Sequence, residues 1–438
     1  MHTRIAALLP LAALSAVPVG AQRLPPLRPL GAVVTVSARG VLGSVSAVRR
    51  LPDGSVIVHD LTRRQVILLD RDFKKLRTIA DTTPETGMAY GARLCGLMAF
   101  TGDSSLFIDP ESQSMAVIDG HGVVARVMAV PNPEDATLMV GGPFGTPGMD
   151  PSGRIVYRGY GAAKDLPLKA SEASALDSAA HPDSAPVYRM SLTTRQRETI
   201  GKVAIPRATG IRSFDAAGRI SGTVLHMTPL PVVDDWALTP DGRIAVVRGA
   251  DYHLEWLGLD GRWSATPKIP HNWQRLDDAT KQRLLDSART ELEQEREKLQ
   301  QLVTRLGNDM RAIMSAGGES PLRAGVTFTL QRPDATSGAP RMEVKIPTVR
   351  LVDAKDLPDY RPAFRMGAVR VDADGNLWVR TTVPSDAGPI YDVIDAKGVL
   401  KDRVKIPFGR VISGFGPGVV YMGVLEDAGA RLEMARVK

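Results

Sequence analysis

The sequence has a single cysteine, Cys95, and few aromatics, 5% of its residues. One thiol excludes an intrachain disulfide and any cysteine-based metal cage. With aromatics scarce, the core must be built from Val, Ile, Leu, Ala and Met. Beyond the first two dozen residues no apolar stretch approaches 18 residues, so no membrane-spanning helix is expected there. The net charge is +7, yet there is no run of Lys and Arg and no stripe of basic and aromatic residues. Nucleic acid is therefore not an expected partner. The P-loop spacing, the Gly-X-Ser-X-Gly elbow and His-Glu-X-X-His are all missing, so no reaction is signalled.

What is present begins with a leader. Arg4 supplies a positive start, Ile5 to Ala16 is apolar, and Val19, Gly20 and Ala21 close the segment with small residues. This pattern predicts a signal peptide over residues 1–21, cleaved before Gln22. Export to a periplasm or out of the cell is the expected localisation.

The rest of the chain repeats itself. Leu51-Pro-Asp-Gly-Ser-Val-Ile-Val58, Thr101-Gly-Asp-Ser-Ser-Leu-Phe-Ile108, Met149-Asp-Pro-Ser-Gly-Arg-Ile-Val156 and Thr239-Pro-Asp-Gly-Arg-Ile-Ala-Val246 share one form. So do Phe214-Asp-Ala-Ala-Gly-Arg-Ile-Ser221, Val371-Asp-Ala-Asp-Gly-Asn-Leu-Trp378 and, degenerately, Gly414-Phe-Gly-Pro-Gly-Val-Val-Tyr421. Each is a turn rich in Asp and Gly followed by β-branched alternation, the signature of a tight hairpin. A second hairpin follows most copies, for example Val66–Asp70 to Leu76–Ile79 and Tyr391–Asp395 to Val399–Ile406. Units of about 40–50 residues with four antiparallel strands have the size of propeller blades. Asp372-Ala-Asp-Gly-Asn376 reads as a hairpin turn rather than a calcium loop, because its Gly comes early and no Glu closes it.

On Trp236–Arg248 and Asp374–Arg380 above all, the chain resembles the exported bacterial six-bladed β-propellers of the NHL and TolB-like group. The expected fold is all-β, a six-bladed propeller of four-stranded antiparallel blades with a long α-helical insert. Residues 22–270 are expected to hold blades 1–4 and a closing N-terminal strand, and 357–438 blades 5 and 6. Residues 207–231 form an extra hairpin that leaves a seventh blade open.

Two inserts interrupt the ring. Residues 161–186, rich in Ala, Ser, Asp and Pro, read as a surface loop or a lid over one face. Residues 271–356 contain a helix capped by Asp277 or Asp278, on which Leu285, Leu292, Leu299, Leu306 and Ile313 recur every seven residues. That stripe packs on the propeller or serves as a partner-docking or self-associating arm.

Candidate site residues follow from the second strand of each blade. His59, Arg158, Arg248 and Arg380 end these strands in four blades. At equivalent positions around a channel they would form a ring, with guanidinium forks suited to carboxylate or phosphate. The competing reading pairs each Arg with an Asp of a neighbouring blade. No two of the six His after the leader have helical metal-ligand spacing, so no metal or cofactor is expected. Cys95 reads as a small core residue. The expected function is an exported binding or protein-interaction module for a protein, peptide or small anionic ligand, without a catalytic residue to name. The alternative is a metal-dependent, lactonase-like hydrolase or lyase.

Overall fold

The computed structural model describes residues 23–437 apart from 87, 92–93, 161–182, 207–208, 215–219, 307–326, 332–340, 347 and 428. The leader, most of the first insert and Ile313 lie outside the described residues.

Six four-strand blades follow one another. Blade 1 comprises Ala47–Arg50, Val56–Asp60, Gln65–Leu69 and Lys75–Ala80. Blade 2 comprises Gly96–Ala99, Ser105–Asp109, Ser114–Ile118 and Val124–Ala129. Blade 3 comprises Gly148–Met149, Arg154–Arg158, Ser184–Ser191 and Arg197–Ala204. Blade 4 comprises Asp235–Leu238, Ile244–Arg248, His253–Leu257 and Trp263–Ala265. Blade 5 comprises Phe364–Val371, Leu377–Thr381, Ile390–Ile394 and Leu400–Lys405. Blade 6 takes Arg410–Gly416, Val419–Glu426 and Gly429–Arg436 from the C-terminus and its outermost strand, Val33–Val36, from the N-terminus. First strands touch between blades 6 and 1, 1 and 2, 2 and 3, and 4 and 5, and the contact of blade 6 with blade 1 closes the ring.

The turns explain the repeat. Gly54, Gly102, Gly153, Gly242, Gly375 and Gly418 hold positive φ between the first and second strands. The turn carboxylates are tied down by backbone N–H donors: Asp150 accepts from Ser152 and Arg154, and Asp372 from Asp374 and Asn376. Asp372 also accepts from the Trp378 indole, so this segment is a hairpin turn. Between blades the apolar strand faces form six clusters, one at each junction. A ring of small cores replaces one large core, and the few aromatics are shared out among them: Tyr252, Phe107, Tyr157, Tyr421, Trp236 and Trp378 each sit in a different cluster among Ala, Val, Ile, Leu and Met.

Three elements stand apart from the blades. The hairpin Thr209–Phe214 and Ile220–Met227 pairs in parallel with Thr348–Leu351, a separate three-stranded sheet rather than a seventh blade. The helix Asp278–Leu306 follows blade 4, and Asp277 caps it through the Thr280 N–H at 2.8 Å. Leu27–Pro29 adds a fifth, parallel strand to the outer edge of blade 5.

Candidate site at the junction of blades 3 and 4

The start of each first strand lies beside the end of the second: Ala47 is opposite His59, and Asp235 opposite Val247. Entry loops and second-strand ends therefore share one face of the ring. In blades 1 and 2 that strand ends in Asp60 and Asp109. Asp60 accepts from the N–H groups of Gly43, Ser44 and Arg63, and Asp109 from those of Gly91, Glu111 and Ser112. These carboxylates pin the loops of the face.

In blades 3 and 4 cations take that position, and the carboxylates move to the entry of blade 4, Asp234 and Asp235. Val156, two residues before Arg158, packs in one cluster with Trp236 and Val246. Side chains two apart share a face, so Arg158 points to blade 4 and Arg248 to blade 3. Arg248 donates to Asp234 at 2.6 Å, to Glu255 at 2.5 Å and to the Lys202 carbonyl at 3.1 Å. Asp234 also accepts from the N–H groups of Ala204 at 2.9 Å and Gly249 at 3.1 Å. Arg248 and Asp234 thereby occupy backbone groups on the outer strand of blade 3, at Lys202 and Ala204, and cover its open edge. Gly249 is required here, because a Cβ would stand 1.9 Å from the Val233 carbonyl oxygen.

Asp235 lies deeper. Its carboxylate accepts from the N–H groups of Val369 at 2.8 Å and Trp236 at 3.0 Å. Burial pushes its carboxyl up to about 6, against the pull of those donors and of Arg370 and Arg158. Arg158 is 6% exposed. Its guanidinium stacks 4.8 Å from the Phe144 ring centre and donates to the Met366 sulfur at 3.2 Å, while its Nε meets no acceptor. Burial, more than any other cause, lowers its proton affinity.

Beside Asp234 and Arg248 a cleft of about 600 Å³ opens between the two blades. Val203, Ile205, Pro231 and Val232 form its apolar walls, and Lys202, Arg248, Asp183 and Asp234 place both signs of charge along it. Val232 is exposed.

Two of the four strand-end residues thus face one junction, each with its own partners, and two do not. His59 faces blade 2, fully buried, its ring edge-on to Tyr90 and Phe107 and its Nδ1 2.8 Å from the Ser46 hydroxyl. Burial depresses its pKa to about 4, so the ring is neutral at pH 7. Arg380 is exposed and, two residues after Trp378 of the blade 5–6 cluster, faces blade 6. On the helix, Leu285 and Leu299 are buried and Leu292 is half-buried. Cys95 is buried in the blade 1–2 cluster, and burial pushes its thiol up. The sequence reading missed Asp234, Asp235, Arg370 and Met366. Its one available signal was two consecutive Asp residues opening an otherwise apolar strand.

Among the described residues no group of three or more His, Cys, Asp or Glu is placed to hold a metal ion, and no helix is long and apolar enough to cross a membrane. No protein-family model and no curated protein matches the chain. Among solved structures, virginiamycin B lyase from Staphylococcus aureus is similar at 10% identity and a TM-score of 0.37, over 93% of this chain and 99% of that one. Regucalcin, a calcium-binding protein from Agrobacterium tumefaciens, is similar at 12% identity and 0.37, over 95% and 98%. A gluconolactonase-like protein follows at 12% and 0.25, over 78% and 87%. At these scores the six-blade count rests on the sheets themselves.

Proposed function

We propose that this chain is an exported propeller of the NHL and TolB-like kind that works by binding, and that its ligand is an extended peptide segment lying between blades 3 and 4. The observation that carries this reading is the cleft of about 600 Å³, with apolar walls and both signs of charge. Ligand sites commonly have this volume and this mixture. A purely anionic ligand fits it less well. Arg248 already spends its charge on Asp234 and Glu255, and Asp183 adds a further carboxylate beside Lys202. A peptide presents apolar side chains and charges of either sign.

The test is selection of binders from a random-peptide display library on the full chain, followed by affinity measurement on Val232→Glu. The substitution sets a charge on an exposed apolar wall. A loss of about tenfold or more, roughly 1.4 kcal/mol, is expected. Selected peptides that bind Val232→Glu unchanged would refute the placement.

Export is supported by Arg4, the apolar run to Ala16 and the small residues at 19–21. A chain recovered from the envelope of its own host should begin at Gln22. The metal-dependent hydrolase or lyase reading calls for several converging ligands. Elemental analysis of that same sample separates the two readings, since a stoichiometric divalent metal would favour the enzyme.

A further inference from the structure

One blade further round, the equivalent place in the ring holds a smaller cavity of different charge. His271 and Gln274 follow the outer strand of blade 4, Arg361 stands at the entry of blade 5, and Thr382 follows the second strand of blade 5. With Asn272 they line about 170 Å³. Liquid water takes up about 30 Å³ per molecule, so this space holds a few waters or one small ion. The walls are fixed by short-range bonds. The Thr382 N–H donates to the Ala363 carbonyl at 2.9 Å, and the Arg361 N–H to the Gln274 carbonyl at 2.9 Å. Arg361 Nε donates to Gln274 Oε1 at 2.7 Å, which turns the guanidinium and leaves its Nη donors available.

No carboxylate lines this cavity. Among the described residues none forms a salt bridge with Arg361 or with Arg365, whose charge adds to burial in lowering the Arg361 proton affinity. Behind the cavity Asp392 answers Arg403 at 3.4 Å and accepts from the Tyr252 hydroxyl at 2.9 Å, so that carboxylate is committed. His271 stands edge-on between Tyr252, 5.4 Å away, and Trp273, 5.1 Å away. Burial first and Arg403 second hold it at about 4. The imidazole is neutral at pH 7 and can donate from one nitrogen. Every charge fixed at the cavity wall is thus positive, and the neutral lining groups include donors in Asn272 and His271, whereas the Thr382 hydroxyl donates to the Pro362 carbonyl.

We propose that this cavity binds a small oxyanion, carboxylate or phosphate, on the Arg361 fork with His271 beside it. A guanidinium fork matches two oxygens of either group. The site is separate from the peptide cleft and stands whether or not that reading holds.

The test uses the full chain and two probes, inorganic phosphate and acetate, each against sodium chloride at matched ionic strength. The readout is the NMR titration of the His271 ring, assigned with His271→Asn. A bound anion stabilises the protonated ring, so its midpoint should move up from about 4 by about one pH unit with the anion that fits. A shift with phosphate alone or acetate alone identifies which oxyanion the cavity takes. Arg361→Gln should remove the shift, and Arg361→Lys should keep part of it. If chloride moves His271 as far, or if neither oxyanion moves it in the wild-type chain, the proposal is wrong. The wild-type titration decides even if Arg361→Gln does not fold.

Discussion

At the residue scale the junctions carry two opposed kinds of buried group. The unfolded His59 ring takes up a proton near 6.5, whereas the folded ring does so only near 4. Its contribution to stability is therefore fully present above pH 6.5 and is lost as pH falls towards 4. Asp235 has the opposite sign. The folded carboxyl keeps its proton up to about 6, while the unfolded one releases it near 3.8. Its contribution is present below pH 3.8 and is lost as pH rises through 6. Each amounts to about 3 kcal/mol. His271 and Asp392 repeat the opposition at the junction of blades 4 and 5. Between pH 4 and 6 these opposed groups offset one another in pairs, so in urea unfolding the slope of each variant is read against that of the wild-type chain. Asp235→Asn should make stability rise with pH across that window, and His59→Gln should make it fall. The same slope in both variants would contradict these assignments.

At the element scale the strand ends decide what each Arg does. Arg248 ties two carboxylates and covers a sheet edge, whereas Arg380 is exposed. Arg248→Ala should cost about 1–3 kcal/mol by leaving Asp234 and the edge short of a partner. Arg380→Ala should stay within about 0.5 kcal/mol. Equal losses in the two melting curves would overturn this contrast. The sequence alone made the strands legible, because Asp-Gly turns and alternation with period two act over a few residues. It also marked Arg158 and Arg248. It could not pair them, since their faces depend on strand register, and Asp235, whose charge acts on Arg158, takes a backbone donor from Val369, 134 positions away. The hairpin at 209–227 was visible as a repeat copy, but its parallel partner Thr348–Leu351 lies far along the chain. Leu27–Pro29 was illegible for another reason: three residues ending in Pro carry no alternation.

At the scale of the whole molecule, stability depends on closing a ring of six small cores. Val33–Val36 pairs with Glu433–Ala435 and supplies blade 6 with its outer strand, and Leu27–Pro29 covers the edge of blade 5. Deleting residues 23–36 opens both edges. The truncated chain should melt well below the full chain and be nicked by protease first within 429–436. An unchanged melting temperature would show that the ring closes without the N-terminal strand. Closure also gives the binding reading its physical basis, since rigid blades hold the loops of one face in fixed relation.

The central claim is that a peptide lies between blades 3 and 4. The most direct measurement is hydrogen exchange on the full chain with and without a selected peptide at saturation. The account predicts added protection confined to residues 202–206 and 228–234, which wall the cleft. Protection elsewhere on the ring, with these two segments unchanged, would contradict it.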